Sequence, residues 1–423
     1  MHCVTYAYMV RCDNIIFMDQ FNLIIKKELA AGINLSIINL IDHLLERAID
    51  IHASDIHIDP QEKGIRVRFR VDGVLEDIHP LPKNIHGEMI SRIKILSGLR
   101  TDEHNAAQDG RFRSIVSNKG IIDVRVSIAP TYHGENAVLR ILSDNAENFT
   151  LNTLGFTETD QKKIMNAIKK PSGMILVTGP TGSGKTTTLY TIIKMLNSKE
   201  ISIITIEDPI EYAVADVEQI QVNTRTGLTF ANGLRSILRQ DPNVIMVGEI
   251  RDTETAGIAI NSALTGHLLL STLHTNDVST TLPRLLDMKI ESFLVASTIS
   301  IAIGQRLVRK ICEKCKIEKI VTDEEYKRLS ETITDDILLK NINYFHGKGC
   351  SVCNNTGYKG RIVIAEILVI DEEIRSAILR KASANEIKQI AVKNGMTTML
   401  VDGFKKALSG LTTIEEVLRV THE

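Results

Sequence analysis

The sequence predicts an α/β protein in which a mixed α/β N-terminal domain precedes a parallel sheet covered on both faces. Three observations predict it. The runs IRVRFRVDGVL (65–75) and IDVRVSI (122–128) alternate apolar with polar side chains at the period of half-buried strands. Downstream, short runs that are apolar throughout alternate with helix-compatible stretches, as parallel strands buried on both faces do. Between one such strand and the helix after it lies GPTGSGKT (179–186), a phosphate-binding turn in its expected setting.

Along the chain, residues 37–49 place Ile37, Ile38, Ile41, Leu44, Leu45, Ala48 and Ile49 at helical spacing. Next, Ile65, Val67, Phe69 and Val71 alternate with Arg66, Arg68, Arg70 and Asp72, a strand closed by a turn at Asp72-Gly73. The arginines read most simply as the polar face of a sheet. In 122–128, Asp123, Arg125 and Ser127 stand opposite Ile122, Val124, Val126 and Ile128. The buried strands expected downstream are MILVT (174–178), ISIITI (201–206), VIMVG (244–248) and HLLLSTL (267–273). Cysteines punctuate 311–360, and 371–423 reads as helices with turns at Asn394-Gly395 and Ser409-Gly410. The expected divisions are an N-terminal extension (1–35), the α/β domain (36–148), a nucleotide-binding core (149–310), a tetracysteine subdomain (311–360) and a helical C-terminal subdomain (361–423).

Composition narrows the function. With 423 residues and 43% apolar content the chain can bury sizeable cores. Its 50 basic and 52 acidic side chains give no overall field that would gather nucleic acid, and the absence of Trp with 4% aromatics leaves few stacking platforms for single strands. No apolar run approaches the ~20 residues of a membrane span. The best, IIFMDQFNLII (15–25), is broken by Asp19, Gln20 and Asn22, and the N-terminus lacks the layout of a secretory signal. A cytoplasmic protein is therefore expected, its six cysteines reduced unless metal holds them.

The nucleotide site is the sharpest signal. Gly179, Pro180, Thr181, Gly182, Ser183 and Gly184 form a loop whose glycines let backbone N–H groups close around phosphate oxygens. Lys185 reaches the terminal phosphates, and Thr186, with Thr187 behind it, offers a hydroxyl to Mg2+. Glu249, ending the apolar strand of VIMVGEIRD, is the candidate to meet the metal or its water. Glu207, Asp208 and Glu211 of IEDPIEY follow another apolar strand and are expected at the same carboxyl edge, where ligands collect. His267 and His274 bracket the strand in GHLLLSTLHTND, and His274 is the better placed to sense a γ-phosphate.

Together GPTGSGKTTTLY, IEDPIEY, GLTFANGLRSILRQDPNVIMVGEIRD, ALTGHLLLSTLHTND and GQRLVRKICEKC resemble the secretion ATPase superfamily of type II secretion and type IV pilus assembly. ASDIHIDP, FRVDGVL, RIKILSGL and QDGRF resemble that family's second N-terminal domain, so the likeness spans roughly 36–423. It implies a hexameric ring whose N-terminal α/β domain is hinged to a RecA-like ATPase core, bound to an inner-membrane platform protein at the inner face of the membrane. It implies ATP as the nucleotide, with one glutamate each from IEDPIEY and VGEIRD acting on the attacking water and the metal. On this resemblance those roles fall to Glu207 and Glu249, without deciding which is the base, while His267 and His274 relay nucleotide state. Arg111 of QDGR and Arg125 of VRVS match arginines that reach the phosphates from the N-terminal domain. Arg239 and Arg306 match positions at the subunit interface.

Cys312-x-x-Cys315 and Cys350-x-x-Cys353 form two CxxC pairs, and four thiolates can close a tetrahedral structural Zn2+ site. A zinc ribbon is preferred over a redox pair or unliganded thiols; Cys3 and Cys12 have no comparable partners. Assembly and secretion motors resemble this chain in carrying the tetracysteine insert, which retraction motors generally lack, and the helical C-terminus looks like the same branch. Two departures stand out. Only residues 1–35 precede the second N-terminal domain, where longer relatives carry a docking domain, and Met18 is a candidate start. TDEHNAAQDGR also lacks the basic residues and proline that usually precede QDGR. The competing readings are a DNA-translocating or conjugation-type ring ATPase, against which charge balance and low aromatic content argue, and a nucleotide-gated scaffold without turnover.

Overall fold

The computed structural model describes residues 36–421 except 79, 117–119, 143–148 and 321–342. The predicted extension 1–35, with Cys3, Cys12 and Met18, and the middle of the predicted tetracysteine subdomain lie outside the described residues. The chain divides into two compact units, the first comprising residues up to 147 together with 349–359 and the second residues 148–348 and 360–423.

The first unit is an antiparallel sheet of β1 (Ala53–Pro60), β2 (Gly64–Val71), β3 (Val74–Asp77), β4 (Leu81–Pro82), β5 (Gln108–Val116), β6 (Gly120–Thr131) and β7 (Gly134–Leu142), in spatial order β3-β2-β1-β7-β6-β5 with β4 on β2. The helix Ile37–Asp50 starts where the Ser36 side chain accepts the Asn39 amide. It buries Ile37, Leu40, Ile41, Leu44, Leu45 and Ala48. Ile38, expected on that face, is exposed and Leu40 replaces it, because 37, 40, 41, 44, 45 and 48 follow the 3.6-residue stripe more closely. Alternation in β2 holds: Ile65, Val67 and Phe69 are buried, while Arg66, Arg68 and Arg70 pair with Asp77, Asp59 and Asp55. These arginines form the polar sheet face that their spacing suggests. Asp72 and Gly73 both take positive φ, 48° and 89°, as a tight hairpin turn requires.

The second unit carries β8 (Gly173–Thr178), β9 (Ile203–Glu207), β10 (Glu218–Gln221), β11 (Val244–Val247), β12 (Leu268–Leu273), β13 (Ile299–Ile311) and, after a small antiparallel pair β14 (Lys316–Ile320) and β15 (Asn343–Gly347), β16 (Tyr358–Val369). Its large sheet runs β10-β9-β11-β12-β8-β13-β16, and the neighbours from β10 to β13 are parallel. Successive residues feed opposite cores. Met174 and Leu176 face one helical layer, Ile175 and Val177 the other, and Ile245 with Val247 against Val244 with Met246 repeat the pattern. All four apolar runs named from sequence are strands, with ISIITI starting at Ile203 and extending through Glu207. Two long strands, β13 and β16, have no counterpart in that reading. β16 carries residues 358–369 into the sheet, and the helices expected from 371 begin at Glu372. Four short helices follow, broken at Gly395 and Gly410, which take φ of 89° and 71°.

Candidate functional site

The site forms at the carboxyl edge of the large sheet. β8 ends at Thr178, the chain turns through 179–184, and the helix Lys185–Leu196 begins. Gly179, at φ 146°, lies so close to its surroundings that a Cβ would fall 2.6 Å from both the Gln305 carbonyl and Ser183 Oγ, so only glycine fits. Gln305, fully buried on β13, braces the turn from below: its Nε2 donates to the Ser183 carbonyl at 2.8 Å and its Oε1 accepts from Thr188 Oγ1 at 2.9 Å. The Thr178 hydroxyl donates to the Thr275 carbonyl at 2.9 Å and thereby fixes the adjacent loop after β12.

Lys185 is 9% exposed, and its ammonium donates to the carbonyls of Gly179 (2.8 Å) and Pro180 (3.0 Å). Burial lowers its pKa to about 8, with Glu249 pulling it up and Arg306 pushing it down. Ser183 Oγ is buried without a hydrogen-bond partner. A buried cation hydrogen-bonded to its own loop, beside an orphaned hydroxyl and glycines at positive φ, fits a phosphate chain. Thr186 and Thr187 are half-buried at the start of the helix, and Pro180, Thr181 and Gly182 form the exposed rim of the loop.

Opposite the loop stands Glu249. The Ser271 and Thr272 hydroxyls donate to the carbonyls of Val247 (2.7 Å) and Gly248 (2.8 Å), pinning the turn that presents it. Its carboxylate meets His274 Nε2 at 3.0 Å and the Arg251 guanidinium, which also faces Asp208 at 3.5 Å. Lys185, Glu249 and His274 thus converge as their motifs imply. His267 does not join them. It sits at the amino end of β12, its Nδ1 3.0 Å from the Ser262 carbonyl, while β12 and β8 run side by side from there to the phosphate edge. Six strand residues separate the two histidines, roughly 20 Å.

The acidic box also divides. Glu207, expected beside the attacking water, is 2% exposed; Tyr190 donates to one oxygen, and Thr205 (2.7 Å) and Gln219 (3.1 Å) donate to the other. Burial pushes its carboxyl above the ordinary range. The reason is positional, because β9 is buried on both faces through its last residue. Glu211, on the loop after it, is half-buried. Arg111 and Arg125 lie in the first unit, directly opposite each other in the β5–β6 ladder. Arg239 is exposed and donates to the Arg235 carbonyl, whereas Arg306 is buried near the phosphate loop. Sequence reading missed Gln305 and Arg251, although both stand inside quoted motifs, GQRLVR and VGEIRD. It missed Tyr190 and Gln219, for which spacing gives no signal.

Cys312, Cys315, Cys350 and Cys353 bring their sulfurs within 4.8 Å of one another. The Cys350 and Cys353 sulfurs are 3.7 Å apart, close to the ~3.8 Å edge of a tetrahedron with ~2.3 Å zinc–sulfur bonds. The Cys350 amide donates to Cys353 Sγ at 3.2 Å, steadying a thiolate. The cluster is compatible with zinc and leaves no protein-side position open for a substrate. Among the described residues no helix is long and apolar enough to cross a membrane.

Comparison with known proteins agrees with this geometry. Residues 33–419 match the family model described as type II/IV secretion system protein. The chain is 47% identical over 388 residues to type II secretion system protein E of Xanthomonas campestris pv. campestris, covering 92% of this chain and 68% of that protein. It is 46% identical over 373 residues to the type IV pilus assembly ATPase PilB of Thermus thermophilus, covering 88% of this chain but only 41% of that one. Among solved structures, the Legionella pneumophila ATPase DotB matches at TM-score 0.65 and 25% identity, over 90% of this chain and 95% of that one. The pilus retraction motor PilT with bound ADP matches at TM-score 0.61 and 28% identity, over 90% and 96%. These likenesses bear out the RecA-like core. The chain therefore belongs to the type II/IV secretion system protein family and is an ATP hydrolase.

Proposed function

We propose that this chain is the motor subunit of a homo-hexameric ring, at the inner face of the cell membrane, that drives assembly of a type IV pilus or a type II secretion pseudopilus through an inner-membrane platform protein. The observation that carries the direction of work is the tetracysteine cluster with its sulfurs within 4.8 Å, since the assembly and secretion motors that the chain resembles carry such an insert. The cluster holds a structural zinc ion. The names of the relatives, a type II secretion protein E and a pilus assembly ATPase, point the same way.

In this reading the loop 179–184, through the backbone N–H groups of its non-proline residues, and Lys185 hold the phosphates. Thr186 and Glu249 would hold Mg2+, which would supply positive charge to offset that of the phosphates. His274, 3.0 Å from Glu249, reports the state of the γ-phosphate to the loop after β12. Of the two glutamates in the acidic box, Glu211 orients the attacking water, because both oxygens of Glu207 are already engaged in the interior. His267 acts at the far end of β12 rather than on the same nucleotide. Arg111 and Arg125, adjacent on one ladder, move together with the N-terminal domain (36–148) and close onto the phosphates of the core (149–310). The tetracysteine (311–360) and helical (361–423) subdomains complete the proposed division of the chain.

The deciding experiment introduces Lys185→Ala into host cells and compares surface filaments and secreted proteins with wild type. Loss of filaments, or loss of secreted proteins with filaments unchanged, supports an assembly motor. Excess filaments would mark a retraction motor, and no change in either would remove the chain from both machines.

A further inference from the structure

Between the phosphate-loop helix and the acidic box lies a buried polar network that phosphate binding does not use. Tyr190, five residues after Lys185, is fully buried. Its hydroxyl donates to Glu207 Oε2 and accepts the backbone amide of Glu211. Gln219 of β10 reaches the same centre: its Nε2 lies 3.3 Å from the Tyr190 hydroxyl, 3.1 Å from Glu207 Oε1 and 3.2 Å from the Tyr212 carbonyl. Its Oε1 accepts the Val214 amide at 2.8 Å. The Tyr190 ring packs edge-on to Tyr212, with centroids 4.6 Å apart and planes at 77°.

The loop that follows β9 is therefore gripped at Glu211, Tyr212 and Val214 by side chains from two other elements. One is the helix that begins at the catalytic lysine. A buried network with every member satisfied is stiff and specifies one arrangement, because any slip would strand a polar group away from water. Burial alone does not call for polar groups here, since the neighbouring positions of this layer, Ile192, Ile193 and Ile203, are apolar.

We propose that Tyr190, Glu207 and Gln219 are positioning residues that hold Glu211 in fixed register with the phosphate loop, so that the loop helix and the acidic box move as one body during turnover. This rests on Glu211 being the acid that orients water. Glu207 then has its place in the reaction through the Tyr190 hydroxyl rather than through contact with the nucleotide.

Tyr190→Phe tests it most cleanly, because it keeps the ring against Tyr212 and removes only the hydroxyl. The expected result is a kcat for ATP lowered about tenfold with KM changed by less than about twofold, since a small misplacement of a reacting group acts on the chemical step. Glu207→Gln should behave alike, and the double variant should be no slower than the slower single variant, because the two groups act as a unit. Wild-type kcat in Tyr190→Phe, a loss that matches lost folded protein, or losses that multiply in the double variant would each overturn the inference. Glu211→Gln, assayed in parallel, separates the two layers of the argument. Wild-type turnover there removes Glu211 as the acid, and this inference with it. A large loss there beside an unaffected Tyr190→Phe leaves the acid in place and removes only the positioning set.

Discussion

Lys185 is a buried cation hydrogen-bonded to two neutral carbonyls of its own loop, and the nearby Glu249 carboxylate only partly offsets its burial until a phosphate arrives. The consequence is a proton linkage. The free lysine titrates at about 8, and bound phosphates stabilise its charged form and raise that value. Above pH 8 the free protein must therefore take up a proton to bind nucleotide, and affinity should fall by about tenfold per pH unit. Calorimetry in buffers of different ionisation enthalpy should find uptake approaching one proton at about pH 9 and much less near pH 7.5. Affinity that stays flat across that range would mean that Lys185 is fully charged before binding. The same scale explains why the two acids of the box part. Glu207 and Glu211 look equivalent in IEDPIEY, yet Glu207 is the last residue of a strand buried on both faces, so alternation gives no clue to where its side chain goes.

At the level of elements, the tetracysteine cluster and the phosphate loop have separable jobs. Two CxxC turns from distant parts of the chain meet where Cys312 and Cys353 are buried, and four thiolates crowded together without a cation would repel one another. Replacing Cys312 and Cys315 by Ser should remove about one equivalent of zinc per chain and lower the melting temperature on the order of 10 °C, a loss of several kcal/mol. Lys185→Ala should keep both zinc and melting temperature while abolishing turnover. Metal analysis with thermal denaturation checks the pair; an unchanged melting temperature after zinc removal would make the cluster dispensable for folding. The strands show where periodicity stops being informative. β8, β11 and β12 stand between clear helices and turns and were legible. β13 begins at Ile299 directly after the helix Ser292–Thr298, with no turn residue between them, and ISIAI suits either period. β16 opens on the polar segment YKGR, where neither alternation nor an apolar run signals a strand.

On the scale of the whole molecule, the proposal requires residues of one unit to act on a nucleotide held by the other. Arg111 and Arg125 face each other in one ladder, so either substitution perturbs the same small surface. Arg125→Ala should lower kcat by about 10³-fold or more, the usual contribution of an arginine that meets transferred phosphoryl oxygens, while affinity for ADP changes little. Steady-state phosphate release beside equilibrium binding separates the two effects. Undiminished turnover would confine catalysis to the second unit.

The chemistry that resides in contiguous residues was open to reading from the chain. A turn that must admit phosphate needs its glycines, lysine and threonine side by side, and a buried parallel strand needs its apolar run, so GPTGSGKT, the flanking strands and the two CxxC turns declared themselves. Contacts between residues remote in sequence were not. That Gln305 braces Ser183 from 122 positions away, that Glu249 meets His274, and that Tyr190 joins Glu207 to Glu211 follow from strand order and register. Those are set by how the two faces of the sheet are covered, a property of the packed molecule that local spacing does not encode.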